Sequence, residues 1–186
     1  MKYARLERER RFVPIRRPDV SAATRRLEIH DSYLDGTRLR LRVVDEQGLA
    51  PVRKLGQKVR VDGPGSIAHT TVYLDDAEHA LLAGLPARTL RKTRYAVPLD
   101  GVLEAAVDVF HGPLDGLVLV EIDLGVDGEL PTPQPTWWGD EVTGIEEFTG
   151  GALARLDADG LTRLLSEPRR SLPGAGRADG PGIGPA

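Results

Sequence analysis

The sequence predicts a mainly β chain whose seven or eight antiparallel strands roll into a closed or nearly closed barrel with few helices. Three observations predict it. Residue character alternates with a period of two over most of the chain. Turn-forming residues interrupt that alternation at short intervals. The length of 186 residues suits one domain with a sizeable core.

The first strand runs from Tyr3 to Val13, where Tyr3, Arg5, Glu7, Glu9, Arg11 and Val13 share one face and Pro14 ends the regular part. Pro18-Asp19 suits the first turn of a short helix. Strands follow at Leu27–Leu34 and Thr37–Val44, joined by the hairpin-type pair Asp35-Gly36. Two more, at Val52–Val61 and Ile67–Leu74, flank the turn Asp62-Gly63-Pro64-Gly65. Asp75-Asp76 caps a short helix that runs to about Leu85. Strands resume at Leu90–Pro98, Val102–Phe110 and Leu117–Leu124, linked by Asp100-Gly101 and by residues 112–116. A last helix is expected near Gly151–Ser166. One domain therefore spans 1–166. Residues 167–186 are Pro- and Gly-rich, which predicts a disordered tail.

Composition removes several classes of function. Without cysteine there is no disulfide framework, thiolate metal site or Cys nucleophile, and a reducing cytoplasm suits such a chain. No signal-peptide core follows the charged N-terminus, and no stretch approaches the ~20 apolar residues of a bilayer span. A soluble cytoplasmic protein without a membrane partner is expected. P-loop, dinucleotide, nucleophile-elbow and HExxH patterns are all absent. The net charge of −3 hides an asymmetry, because residues 1–62 hold 16 Lys and Arg against 9 Asp and Glu. These basic residues alternate along strands, and aromatics are only 5%, too few for base stacking. A small polyanion suits the pattern better than a nucleic acid polymer.

Four charged sets stand at i, i+2 spacing: Glu7/Glu9/Arg11, Arg38/Arg40/Arg42, Lys92/Arg94 and Glu121/Asp123. Taken singly, each reads as the solvent face of a half-buried sheet. Solvent faces, however, mix charges with Ser, Thr and Gln, whereas here basic and acidic sets occupy separate strands. Turned inward, the basic sets would grip a triphosphate, which carries about four to five negative charges near neutral pH. Two carboxylates two residues apart reach one point in space, enough for Mg²⁺ that also takes phosphate oxygens and water. Asp108 is ambiguous: it either orients a lysine inside the barrel or faces solvent. Lys54 lies in a strand-like basic segment, and Trp137 and Trp138 suit packing or a rim.

These sets resemble, in order, the CYTH family, the triphosphate tunnel metalloenzymes. That family opens with an E-x-E-x-K strand, here Glu7-Arg8-Glu9-Arg10-Arg11-Phe12-Val13. The resemblance continues through Asp31-Ser32-Tyr33-Leu34, Arg38-Leu39-Arg40-Leu41-Arg42 and Arg91-Lys92-Thr93-Arg94-Tyr95. It ends with Val107-Asp108-Val109-Phe110, residues 116–123 and Trp138-Gly139-Asp140-Glu141-Val142-Thr143. It implies an eight-stranded antiparallel closed β-barrel, a tunnel, with short peripheral helices. It also implies hydrolysis of a small triphosphate, inorganic triphosphate first, with Mg²⁺ or Mn²⁺.

Carried over by position, Glu7, Glu9 and Glu121 match metal-binding acids, with Asp123 a shorter stand-in for a second Glu. Arg38, Arg40, Lys54, Lys92 and Arg94 match phosphate-binding residues, and Glu7, Glu9 and Arg11 form the expected catalytic set. Three features depart from the family. Arg11 replaces a lysine, His69-Thr70-Thr71 stands where an Arg-x-Glu is common, and Asp123 reaches about one methylene less far. A class IV-type adenylate cyclase and a non-catalytic polyphosphate- or nucleotide-binding module stay open as alternatives. A homodimer is held open as well.

Overall fold

The computed structural model describes residues 4–61, 66–99, 103–125 and 128–167. The expected disordered tail falls almost wholly outside these residues, as do the turns at 62–65 and 100–101. The period-two segments form β1 (Arg5–Val13), β2 (Arg25–Leu34), β3 (Leu39–Glu46), β4 (Val52–Arg60), β5 (Ser66–Leu74), β6 (Ala87–Pro98), β7 (Glu104–His111) and β8 (Val118–Asp123). A two-residue strand, β9 (Asp140–Glu141), lies beside the end of β1. The strands run in the order β5-β4-β3-β2-β6-β7-β8-β1, all neighbours antiparallel, and a β5–β1 pairing closes the barrel. Closure leaves neither edge of the sheet unpaired.

Within the barrel, β1 serves two neighbours. Arg5–Arg8 pair with Ser66–His69 of β5, and Glu9–Phe12 pair with Val120–Asp123 of β8. Glu7 and Glu9 therefore straddle the seam where the barrel closes. Alternation sends charges inward and aliphatics outward. Phe12, Ala105, Val107, Val120 and Ile122 form a buried outer cluster under Trp137 and Trp138. Trp138 packs 4.3 Å from the Phe12 ring, so both tryptophans serve packing. Gly139 lies so close to β1 that a Cβ there would stand 2.1 Å from the Val13 carbonyl oxygen. Only glycine allows that approach, which seats β9 against β1.

Short helices α1 (Asp76–Ala83), α2 (Gly150–Leu153) and α3 (Ala158–Ser166) complete the fold. Asp75 and Glu78 make a reciprocal capping box at α1, as the acidic pair in the sequence led one to expect. The single last helix expected is two, because Thr149 and Asp157 each cap a fresh start. No helical turn forms at Pro18-Asp19; Asp19 instead accepts a hydrogen bond from the Ser21 N–H. Phe148, Leu153 and Leu161 pack on Leu90, Phe110 and Leu119, so the C-terminal segment covers one end of the barrel. Among the described residues no helix is long and apolar enough to cross a membrane.

Candidate active site

The barrel encloses a cavity of about 530 Å³ that reaches the end covered by the C-terminal segment. Glu7, Glu9, Arg40, Lys92, Arg94 and Glu121 are among its walls. Strand register sets their heights: Tyr33 pairs with Arg40 and with Arg88, and Asp31 with Arg42 and with Leu90.

Two buried aspartates organise the basic wall. Asp31, 1% exposed, accepts two hydrogen bonds from Arg42, at 2.5 and 2.6 Å, and Arg40 Nε lies 3.7 Å from it. Burial alone would raise the Asp31 carboxyl, but Arg42 and then Arg40 bring it down to about 2. Asp108, also 1% exposed, accepts from Lys92 Nζ at 2.5 Å and from Arg94 at 2.6 and 2.7 Å. Burial pushes Lys92 down to about 8, against the pull of Asp108 and with the added push of Arg94. Arg94 also donates to Glu121 at 2.5 Å, and Arg11 reaches the other Glu121 oxygen at 2.6 Å. Burial disfavours the Glu121 charge, yet Arg11 and Arg94 hold its carboxyl well below the usual range. Arg42, Lys92 and Arg94 are thus each fixed by a carboxylate behind them, which pre-organises that part of the cradle before any anion arrives, whereas the buried Arg40 Nε makes no directed hydrogen bond.

The acidic side is arranged differently. Lys58 Nζ is shared between Glu7, 3.0 Å from its Oε2, and Glu9 Oε1. His69 Nδ1 lies 2.9 Å from Glu7 Oε1. Burial would raise the Glu7 carboxyl, but the His69 hydrogen bond and the Lys58 charge lower it to about 2. Glu7 Oε2 and Glu9 Oε2 are buried and make no directed hydrogen bond. Among the described residues no three His or carboxylate side chains form a ready-made cage for a metal. Lys58 and, at 3.7 Å, Arg11 lie close to these two oxygens. A pair of carboxylates each with one oxygen that makes no directed hydrogen bond nevertheless fits Mg²⁺ or Mn²⁺, which fill their remaining positions with phosphate oxygens and water.

No protein-family model matches the chain. A curated relative from Nitrosomonas europaea, an inorganic triphosphatase, is 32% identical over 155 residues, covering 80% of this chain and 96% of the relative. The chain belongs to the inorganic triphosphatase family. A solved structure of an inorganic triphosphatase superposes with a TM-score of 0.53 at 25% identity, covering 80% of this chain and 93% of that one. A second solved structure, 24% identical with a TM-score of 0.51, supports the fold alone.

In this member of the inorganic triphosphatase family, most residues singled out from sequence meet in one cavity. Glu7, Glu9, Arg11, Arg40, Lys92, Arg94 and Glu121 line it, and Arg38 stands exposed at its mouth. Two do not line it. Asp123 shares its strand face with Glu121, but it sits at the exposed end of β8 and pairs with Arg5 at 3.0 Å. It also stands directly opposite Glu9 in the β1–β8 ladder. Lys54 faces a second, smaller cavity at the other end of the barrel, its Nζ 5.4 Å from the Tyr73 ring centre. Asp108 orients Lys92, which settles its ambiguity. The sequence alone assigns no site role to Lys58, His69 or Asp31, although Lys58 shares the face of Lys54 four residues earlier on β4, Asp31 lies in a motif of the resemblance and His69 in one of its departures.

Proposed function

We propose that the protein is a divalent-metal-dependent phosphohydrolase of the CYTH, triphosphate tunnel metalloenzyme type that cleaves inorganic triphosphate. One observation carries the reading: a part-buried acid pair, each with one oxygen that makes no directed hydrogen bond, faces a basic wall in which Asp31 and Asp108 fix Arg42, Lys92 and Arg94 across a single cavity. The curated triphosphatase relative supports the same substrate class. The same reading puts the enzyme in the cytoplasm, with a small triphosphate as its partner.

Glu7 and Glu9 would hold Mg²⁺ or Mn²⁺ in place of their present contact with Lys58. When bound, the ion offsets carboxylate–phosphate repulsion and polarises a terminal phosphoryl group or a water. Arg40, Lys92 and Arg94 bind the non-bridging oxygens along the chain, and Arg38 receives the substrate at the mouth. Glu121 serves as a positioning residue, since Arg11 and Arg94 occupy its two oxygens. In the reaction a water oxygen forms a new bond to the terminal phosphorus. The bridging P–O bond breaks with its electron pair going to diphosphate, and the products and solvent share the protons of the water. Orthophosphate and diphosphate result.

The test compares orthophosphate release from tripolyphosphate, ATP and thiamine triphosphate under Mg²⁺ and under Mn²⁺. Tripolyphosphate is expected to give the highest kcat/KM. A preference for either organic triphosphate would overturn the assignment of substrate. Cyclic AMP formed from ATP would favour the cyclase, and tight binding without any release would favour the non-catalytic module.

A further inference from the structure

At the end of the barrel away from the C-terminal segment, the walls enclose a second cavity of about 220 Å³, less than half the volume of the first. Arg25, Arg42, Lys54 and Arg94 line it, and Glu46 is the one carboxylate among its lining residues. Arg42 and Arg94 also line the main cavity, so they form the partition between the two spaces. Aliphatic side chains such as Val44 and Val52 make up much of the remaining wall, where charges are screened less than on an open surface.

The cations of this cavity differ in how they are neutralised. Glu46 is taken by Arg25, at 3.0 and 2.5 Å. Asp31 holds Arg42, and Asp108 and Glu121 hold Arg94. Lys54 contrasts with all three. Burial lowers its proton affinity, Arg42, Arg40 and Arg25 lower it further, and no carboxylate opposes them. A partly buried ammonium in a cavity also lined by the guanidinium groups of Arg25, Arg42 and Arg94 favours an anion among them.

We propose that this cavity is an oxyanion subsite that receives the orthophosphate product and releases it at the end of the barrel away from Glu7 and Glu9. This inference rests on triphosphate hydrolysis in the main cavity. Its volume and its one unopposed cation suit a compact tetrahedral anion better than diphosphate with a bound cation. Crossing requires the Arg42 and Arg94 side chains, which Asp31, Asp108 and Glu121 hold, to move aside as the anion passes. Diphosphate is left to depart through the mouth lined by Arg38, so the two products do not compete for one exit.

The experiment titrates orthophosphate, by calorimetry and by ³¹P NMR, into the full chain alone and into the chain saturated with imidotriphosphate, a non-hydrolysable analogue. The wild type is expected to bind orthophosphate with the analogue in place. Lys54→Ala and Arg25→Ala are each expected to weaken that binding about tenfold, while Arg38→Ala changes it less than about twofold. Orthophosphate that competes with imidotriphosphate, or binding indifferent to Lys54→Ala, would overturn the proposal. Hydrolysis of tripolyphosphate, measured separately, keeps the two readings apart. Turnover with competitive orthophosphate sinks the subsite alone. Lys54-dependent binding without turnover keeps the anion site and sinks the hydrolase reading with the exit role drawn from it.

Discussion

Arg11 faces Glu121 across the β1–β8 ladder, with its Nε 2.9 Å from Glu121 Oε1 and its Nη1 donating to the Phe148 carbonyl at 2.9 Å. One side chain thereby ties two strands of the barrel to the segment that covers its end. Without it, Glu121 would be left with Arg94 as its close cation. Arg11→Ala is expected to cost about 3 kcal/mol of stability, the scale for breaking a buried ion pair. Arg11→Lys keeps the charge but loses the fork, and is expected to cost about 1 kcal/mol. Urea denaturation reads both, and a loss under about 0.5 kcal/mol for Arg11→Ala would contradict this tie.

Lys92 sets an alkaline limit. Burial brings its pKa from the ordinary 10.5 to about 8, so the cradle of the free enzyme loses a positive charge above that pH. The folded value lies below the unfolded one, so this group's contribution to stability grows as pH rises from about 8 to 10.5. Activity and stability therefore part company there. The value of kcat/KM for tripolyphosphate is expected to fall above about pH 8 in the wild type and to stay level in Lys92→Arg, which keeps its charge. Matching alkaline limbs in the two proteins would rule this out.

Asp31 sets the acid limit. Its pKa is depressed from 3.8 to about 2, so its stabilisation is complete above the unfolded value and fades as pH falls through the folded one. Asp31→Asn leaves Arg42 buried without its carboxylate and is expected to cost about 3 kcal/mol near neutral pH. Its deficit against the wild type should shrink as pH drops from about 4 to 2. A deficit independent of pH would contradict this assignment.

The strands and the inward charges were legible because both follow from a period of two and from local turn residues. Asp35-Gly36 and the Asp75 cap needed only their neighbours. Partners across the barrel were less legible. Lys58 meets Glu7 and Glu9 only because β5 closes on β1, a contact that spans about fifty residues of sequence. Period alone could not separate Lys58 from Lys54, which share a strand face yet serve different cavities. Asp123 shows a related limit: a shared face does not tell where the barrel ends, and Asp123 stands opposite Glu9 at the last position of β8, paired with Arg5. Asp108 could be read either way until Lys92 and Arg94 were brought onto it.

His69 occupies a stretch that departs from the family pattern, and its hydrogen bond to Glu7 Oε1 leaves Oε2, beside Lys58, without a directed hydrogen bond. Losing that orienting contact is expected to weaken Mn²⁺ binding about tenfold in His69→Ala, the scale for groups that orient metal ligands. His69→Gln, which can still donate a hydrogen bond, should recover part of the loss. Calorimetric titration with Mn²⁺ in the absence of substrate reads this directly, and unchanged affinity in His69→Ala would remove His69 from the site.

The central claim is that Glu7 and Glu9 present one cation-holding edge to a triphosphate gripped by the basic wall. Orthophosphate release from tripolyphosphate, with and without Mg²⁺ or Mn²⁺, in the wild type and in Glu9→Gln, tests it most directly. The wild type should turn over only with the metal, and Glu9→Gln should lose about a hundredfold in kcat while its fold persists by circular dichroism. Equal release without metal, or full activity in Glu9→Gln, would contradict the account.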